Sequence, residues 1–128
     1  MSRVQLALNV SDLDEAIAFY SKLFATEPAK VRPGYANFAV ADPPLKLVLI
    51  EGGTGEPGSL NHVGVEVASP EEVAATSARL SGNGVPTTDD NGACCYALQE
   101  KVWVDAPDNR PWEIYAVVAD AESMTRCC

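Results

Sequence analysis

The feature that most constrains this chain is an internal repeat. When Val4–Val10 is placed over Asn61–Val67, a constant offset of 57 residues aligns their alternating apolar positions. The aligned apolar pairs are Leu6 with Val63, Leu8 with Val65 and Val10 with Val67. The match continues into a helix-like stretch, where Leu23 falls on Leu80. A repeat of this length predicts two copies of one supersecondary unit.

Each copy begins with an alternating strand and continues with a capped helix. The residues that alternate with the apolar ones are small or polar, which predicts a strand with one face under a helix and one lined face. Asp12 and Ser69 are typical helix N-caps, each followed three residues later by a glutamate. Gly84 lies where the second helix should end.

A βαβββ order in each copy requires three strands after each helix; the first copy has three strand-like stretches, and the second has four, one more than this order needs. In the first copy they are 29–32, 35–40 and 46–51; in the second they are 86–88, 94–98, 101–104 and 112–118, with 96–104 as an alternative single arm. We therefore expect one domain at 1–120, with module one at 1–51, a glycine-rich linker at 52–60 and module two at 61–120. Residues 121–128 form a tail that ends in cysteines.

Composition excludes several classes of protein. Nine Lys and Arg against 18 Asp and Glu give a net charge of −9, which disfavours binding to nucleic acid or to an anionic membrane. The opening residues, Met1-Ser2-Arg3, do not begin a signal segment, so a cytoplasmic location is expected. In that compartment the four cysteines are interpreted as thiols before disulfides.

Three polar residues make a candidate metal site. Gln5 and His62 occupy matching positions on the first strands of the two copies, on the lined face. Glu113 lies between Trp112 and Ile114, opposite to two large apolar side chains. Any one of these residues alone would carry no signal, but their nitrogen and oxygen donors together suit a first-row divalent metal. No fourth ligand is evident in the strand of the first copy that corresponds to Glu113, which predicts open metal positions.

Several stretches resemble a known superfamily and one group within it. The most specific are Cys94-Cys95-Tyr96-Ala97 and Trp112-Glu113-Ile114-Tyr115, supported by Phe19–Phe24, Lys30–Phe38 and Lys101–Val104. The chain resembles the vicinal-oxygen-chelate superfamily from Val4 to Val118, and within it the ArsI/CadI group of organoarsenical carbon–arsenic bond lyases and cadmium-induced proteins. The resemblance implies an α+β fold in which two βαβββ modules form a cupped mixed sheet.

The resemblance also implies a reaction. We expect an Fe(II)-dependent, dioxygen-consuming lyase that cleaves the carbon–arsenic bond of trivalent methyl or aryl arsenicals, with Gln5, His62 and Glu113 as metal ligands. Cys94 and Cys95 would hold the thiophilic arsenic if the backbone turns there; otherwise they are one buried and one exposed strand cysteine. The candidate pocket aromatics are Phe38, Tyr96, Trp103 and Tyr115. Cys127 and Cys128 are candidate delivery thiols.

Two other classes of protein remain open at this stage. One is a cadmium- or heavy-metal-binding stress protein that uses the cysteines without turnover. The other is a glyoxalase-like metal isomerase or thiol transferase, which normally needs a fourth ligand. The partner is expected to be a small molecule, and both a monomer and a homodimer are compatible with the sequence.

Overall fold

The computed structural model describes residues 2–122 and divides the chain into two compact units. The first unit runs from Val4 to Val63, and among the described residues the second consists of Ser2 and Arg3 together with 64–122. In chain order the elements are β1 (Arg3–Val10), α1 (Leu13–Leu23), β2 (Lys30–Arg32), β3 (Tyr35–Val40), β4 (Leu45–Glu51), β5 (Leu60–Glu66), α2 (Pro70–Gly82), β6 (Thr88–Asp89), β7 (Gly92–Cys94), β8 (Ala97–Ala106), a short 3₁₀ turn (Pro107–Asn109) and β9 (Arg110–Asp120).

The two helices begin where their capping residues predict. The Asp12 carboxylate accepts a hydrogen bond from the Glu15 backbone N–H at 3.1 Å, and the Ser69 hydroxyl accepts one from Glu72 at 3.3 Å. Each bond satisfies one of the backbone donors that the first turn of a helix leaves unpaired. Gly84 has a φ of +80° just beyond α2, the left-handed conformation that a glycine adopts without strain.

The sheet of the first unit has an apolar face and a polar face. Its order is β2-β3-β4-β1, with β4 antiparallel to β3 and parallel to β1. The apolar face packs against α1, and its buried residues are Leu13, Ala36, Phe38, Val40, Leu47 and Leu49. The opposite face carries buried Gln5 and Asn9 on β1. Alternation along β1 therefore puts the candidate ligand on the face away from α1.

The second unit follows the same plan with one additional strand. β9 pairs with β8, and β8 also pairs with β6 and β7, all antiparallel. Its helix packs over a smaller apolar core that consists of Val73, Val102, Ile114 and Ala116. The end of β5 approaches β9, because the Val67 N–H donates to the Tyr115 carbonyl at 2.8 Å.

One predicted strand is wrong. Residues 94–98 do not form a single strand, because the chain reverses between β7 and β8 so that Cys94 pairs with Ala97. Cys95 and Tyr96 form the two-residue loop of this hairpin. Their residue types do not predict such a turn. The alternative of one arm over 96–104 is closer to β8, which runs from Ala97 to Ala106.

None of the helices within residues 2–122 has the length and the apolar character needed to cross a bilayer.

The core beneath α1 generates the first testable prediction. Phe38 is fully buried there, so Phe38→Ala should lower the free energy of unfolding by about 3–5 kcal/mol, because it removes apolar contacts and leaves a cavity. Phe19 is 58% exposed on α1 and touches Tyr20 edge to face, so Phe19→Ala should cost no more than about 1.5 kcal/mol. Urea unfolding of both variants measures the difference; equal losses would contradict the placement of Phe38.

Candidate functional site

The first unit brings Gln5 and His62 together. Their side-chain nitrogens, Nε2 of each residue, lie 3.2 Å apart. Both side chains are almost completely buried, at 4% and 7% exposure. The register predicted from the repeat therefore corresponds to a direct contact between the two candidate ligands. On the other side of the imidazole, Asn61 Oδ1 lies 2.7 Å from His62 Nδ1.

The neighbouring strand β4 supplies no further ligand on the Gln5 face. Gln5 is paired with Lys46, so Lys46, Val48 and Ile50 share that face by alternation. Two of these side chains are aliphatic, and a protonated lysine has no lone pair to give to a metal. Within β4, then, the position that a fourth ligand would take in a closed site is filled by a cation and by apolar groups.

In the second unit Glu113 is held by a buried lysine. Lys101 Nζ donates to Glu113 Oε1 at 2.7 Å, and the two side chains are 2% and 3% exposed. The same ammonium lies 3.5 Å from the sulfur of Cys94. It also lies 5.6 Å from the ring centroid of Trp103 and 5.7 Å from that of Tyr115. One lysine therefore links the candidate metal carboxylate, the candidate arsenic thiol and two of the predicted pocket aromatics.

Sequence reasoning missed the role of Lys101. A lysine in a strand is usually solvated, and the residue was noticed only as part of a resembling stretch. The signal lay in the alternation of β8, where Gln99, Lys101 and Trp103 share one face. Gln99 and Lys101 are buried on this face, whereas Leu98 and Glu100, on the opposite face, are exposed.

Cys94 and Cys95 are brought together by a turn. Cys95 and Tyr96 have φ values of 52° and 61°, the signature of a type I′ hairpin turn, which normally uses asparagine and glycine. The turn puts the two sulfurs 3.5 Å apart, too far for an S–S bond of about 2.05 Å between them. Each of the two cysteines is nevertheless disulfide-bonded in the structure, so the expectation of thiols is not met here, and a dithiol would form only on reduction. Two thiolates that share one tetrahedral zinc at about 2.3 Å are separated by a little under 4 Å, so the observed spacing suits a single soft ion.

The hairpin is further fixed by Gln99. Its amide nitrogen donates to the Cys94 carbonyl at 2.9 Å, while its buried Oε1 has no hydrogen-bond partner among residues 2–122. The residue is 5% exposed, so the orphaned oxygen is withheld from solvent. An unpaired buried acceptor beside the cysteines would accept a hydrogen bond from a donor on a bound molecule.

A glycine makes room for Glu113. A Cβ placed on Gly64 would lie 2.5 Å from Glu113 Cγ and 2.7 Å from the Glu113 carbonyl oxygen. Real Cβ atoms do not approach backbone so closely, so a larger residue would displace the carboxylate. The glycine therefore contributes to the placement of Glu113.

The other predicted site residues divide into three groups. Tyr96, Trp103 and Tyr115 lie in the turn and on the Lys101 face. Phe38 instead belongs to the core beneath α1, because it pairs with Leu47 and shares the face of that residue rather than the face of Gln5; its prediction as pocket wall is corrected. Cys127 and Cys128 lie outside the described residues.

Within residues 2–122 no group of three His, Cys, Asp or Glu side chains lies together as a metal site made only of those residue types would require. The predicted triad contains only two residues of those types, since its third member is Gln5. The assignment of the three ligands remains a prediction.

The curled mixed sheet with its two helices is the vicinal-oxygen-chelate fold. The Glyoxalase/Bleomycin resistance protein/Dioxygenase superfamily model matches residues 3–114, and the chain belongs to this superfamily.

Three named proteins are similar in sequence to this chain over nearly all of its length. The chain is 55% identical to the trivalent organoarsenical cleaving enzyme of Thermomonospora curvata, an alignment that covers 100% of this chain and 89% of that protein. It is 61% identical to the cadmium-induced protein CadI of Mycobacterium tuberculosis over 97% of this chain and 82% of that protein. A probable trivalent organoarsenical cleaving enzyme of Bacillus subtilis is 32% identical over 100% of this chain and 91% of its own length.

Solved structures confirm the fold. A Mn(II)-bound glyoxalase from Novosphingobium aromaticivorans superposes with a TM-score of 0.62 at 18% identity, covering 99% of this chain and 44% of that one. Homoprotocatechuate 2,3-dioxygenase from Arthrobacter globiformis gives 0.61 at 20% identity, covering 95% and 38%. At such identities the similarity shows the fold alone.

The buried ion pair leads to a prediction about stability. Lys101→Met should lower the free energy of unfolding of the metal-free protein by about 3–5 kcal/mol, because it leaves the Glu113 carboxylate buried without its cation. A second variant that also carries Glu113→Leu should regain much of that loss, since no buried charge remains. Urea unfolding of the wild type, of Lys101→Met, of Glu113→Leu and of the double variant completes the double-mutant cycle. A double variant that loses the sum of the two single losses would contradict this coupling.

Proposed function

We propose that this protein is an organoarsenical carbon–arsenic bond lyase that uses Fe(II) and dioxygen to cleave trivalent methyl or aryl arsenicals. The observation that carries the proposal is the pair of sulfurs, 3.5 Å apart, beside a buried lysine that also holds Glu113. The relatives named as trivalent organoarsenical cleaving enzymes support it independently. A small cytoplasmic enzyme that acts on a small molecule is the simplest form of the proposal.

The residues that would hold the metal are Gln5, His62 and Glu113. They fit a first-row divalent ion in donor type, with one imidazole nitrogen and two side-chain oxygens. Each of the three side chains is buried in its own unit, at 4%, 7% and 2% exposure. Bound Fe(II) would supply a Lewis-acidic, redox-active centre with positions left for dioxygen.

The chain's own residues would bind and orient the substrate. In the reduced protein, the Cys94 and Cys95 thiols would displace the two hydroxyl groups of a trivalent arsenical, each releasing water. The Lys101 ammonium, 3.5 Å from the Cys94 sulfur, favours a thiolate at that position electrostatically, and the thiolate is the nucleophile. The rings of Trp103 and Tyr115 flank the same ammonium and would exclude water from it.

For a methyl arsenical the overall reaction balances without a further reductant, whereas an aryl arsenical, whose ring carbon gives up only two electrons in becoming a phenol, would also need a two-electron reductant. Methylarsenous acid and dioxygen give formaldehyde and arsenous acid, one for one. The carbon is oxidised from the methyl to the aldehyde level, dioxygen takes up the electrons, and arsenic stays trivalent. The second oxygen atom appears as the new hydroxyl on arsenic.

The proposal is tested by product analysis of methylarsenite. Protein loaded with Fe(II) under argon and then given air should release arsenite and formaldehyde in equal amounts with matching oxygen uptake. Omission of either Fe(II) or dioxygen should abolish all three signals. A heavy-metal-sequestering protein, the alternative suggested by the cadmium-induced relatives, would bind Cd(II) or the arsenical and consume no oxygen. That outcome would reject the lyase.

The role of the dithiol is tested by a variant that preserves the turn. Asparagine adopts the left-handed conformation that Cys95 occupies, so Cys95→Asn removes the sulfur with little change to the hairpin. Phenylarsine oxide should bind to the wild type and not to Cys95→Asn, because one thiolate replaces two, while Fe(II) content stays unchanged. Titration of the reduced proteins followed by tryptophan fluorescence measures the binding. The matched control is Leu98→Asn on the same hairpin, at a position 43% exposed, which should bind normally. Equal binding by Cys95→Asn would remove the dithiol from the proposal.

A further inference from the structure

A continuous set of hydrogen bonds runs from the imidazole of His62 to a backbone carbonyl. Asn61 Oδ1 lies 2.7 Å from His62 Nδ1, and Asn61 Nδ2 donates to Asn9 Oδ1 at 3.0 Å. Asn9 Nδ2 donates to the Ser59 hydroxyl at 3.0 Å, which in turn donates to the Glu56 carbonyl at 2.5 Å. We call this set of Asn61, Asn9, Ser59 and the Glu56 carbonyl the amide relay.

The direction of every bond in the amide relay is fixed from its far end. A backbone carbonyl can only accept, so the Ser59 hydroxyl must donate its single proton to Glu56. Ser59 Oγ must then accept from Asn9, which turns the Asn9 oxygen toward Asn61. The Asn61 amide nitrogen donates to that oxygen, so Asn61 Oδ1 faces His62. Because an amide oxygen cannot donate, the proton of this hydrogen bond has to be on His62 Nδ1.

The residue on the opposite side of the imidazole indicates the same tautomer of His62. The Gln5 amide nitrogen lies 3.2 Å from His62 Nε2, and an amide nitrogen can only donate. His62 Nε2 is therefore the acceptor and carries no proton in the neutral ring. The placement of the Gln5 amide nitrogen agrees with the tautomer that the amide relay specifies, with the proton on Nδ1 and the lone pair on Nε2.

The glycine-rich loop is shaped around Asn9. The Gly58 N–H donates to the Asn9 carbonyl at 2.7 Å, and the Asn9 N–H donates to the Ser59 carbonyl at 2.9 Å. A Cβ on Gly55 would collide with the Asn9 amide nitrogen, and one on Gly53 would lie 3.0 Å from the Asn9 oxygen. The loop therefore does more than join two modules, because its backbone closes on the side chain that directs the amide relay.

We infer that Asn61, Asn9 and Ser59 are positioning residues that hold His62 in the Nδ1–H tautomer and so present the Nε2 lone pair to a divalent metal, an inference that rests on the proposed metal site. Partners of this kind on a metal-binding histidine orient the ring and raise its affinity for the metal. Gln5 would have to rotate its amide to offer oxygen to the same metal.

The tautomer can be observed directly because the chain contains one histidine. Long-range proton–nitrogen NMR of nitrogen-15-labelled, metal-free protein at alkaline pH resolves the two ring nitrogens without assignment of other residues. The wild type should show a protonated Nδ1 and an unprotonated Nε2. Asn61→Ala removes the acceptor and should give a mixture of tautomers. Ser59→Ala, which does not touch the ring, should shift the ratio in the same direction.

Metal affinity provides the second readout, with Co(II) alone as the probe. Asn61→Ala should weaken Co(II) binding about 10- to 100-fold, the usual effect of losing such a partner. Ser59→Ala should weaken it about three- to tenfold, the worth of one ordinary hydrogen bond. Ser59→Thr keeps the hydroxyl and should behave as the wild type does. Ser81→Ala, on the exposed side of α2, is the matched control for serine-to-alanine exchange.

The outcomes separate this inference from the proposed function. A wild-type spectrum with the proton on Nε2, or Ser59→Ala values equal to those of Ser81→Ala in both readouts, would overturn the amide relay. If the variants shift the tautomer while the wild type binds no Co(II), the role of the amide relay in orienting His62 is supported and the proposed metal site is rejected. If the wild type binds Co(II) and both readouts follow the predicted order, both are supported.

Discussion

The buried ion pair of Lys101 and Glu113 is the interaction on which the polar face of the second unit depends. Removing two charges from water costs several kcal/mol for each ion, and the loss is offset only by close contact and further partners. The structure supplies them, with a separation of 2.7 Å, a sulfur at 3.5 Å and two aromatic rings near the ammonium. Each of these groups constrains the others, so neither the carboxylate nor the cysteine hairpin can be repositioned alone.

In the first unit, hydrogen bonds between neutral groups offset the cost of burying polar side chains. Gln5 and Asn9 are buried on the face away from α1, where unpaired amides would be unfavourable. Their partners come from β5 and from the loop before it, so the polar face of β1 is completed by residues that follow it by about fifty positions. Repetition of the strand thus puts the two candidate ligands in contact, while the loop between the copies determines how one of them is oriented.

The sequence predicted those parts of the structure that depend on local periodicity. The cap residues Asp12 and Ser69 begin their helices as predicted, and alternation along β1 assigned Gln5 to the buried polar face. The hairpin at Cys95 and Tyr96 could not be predicted, because neither residue prefers the left-handed region and the turn is imposed by the pairing of β7 with β8. Lys101 and Ser59 were missed for another reason, since their roles depend on partners distant in the sequence.

The fold does not determine the reaction, because glyoxalases, ring-cleaving dioxygenases and epimerases all have it. We propose a soft, thiophilic substrate because of the cysteine hairpin instead. A residue other than glycine or asparagine in the left-handed region costs about 1–2 kcal/mol, and this turn contains two in succession. Glycine at either position would avoid that cost, so the cysteine at the first loop position lowers the stability of the turn. Strain of this kind, located beside a buried cation and an orphaned amide oxygen, is typical of a binding site.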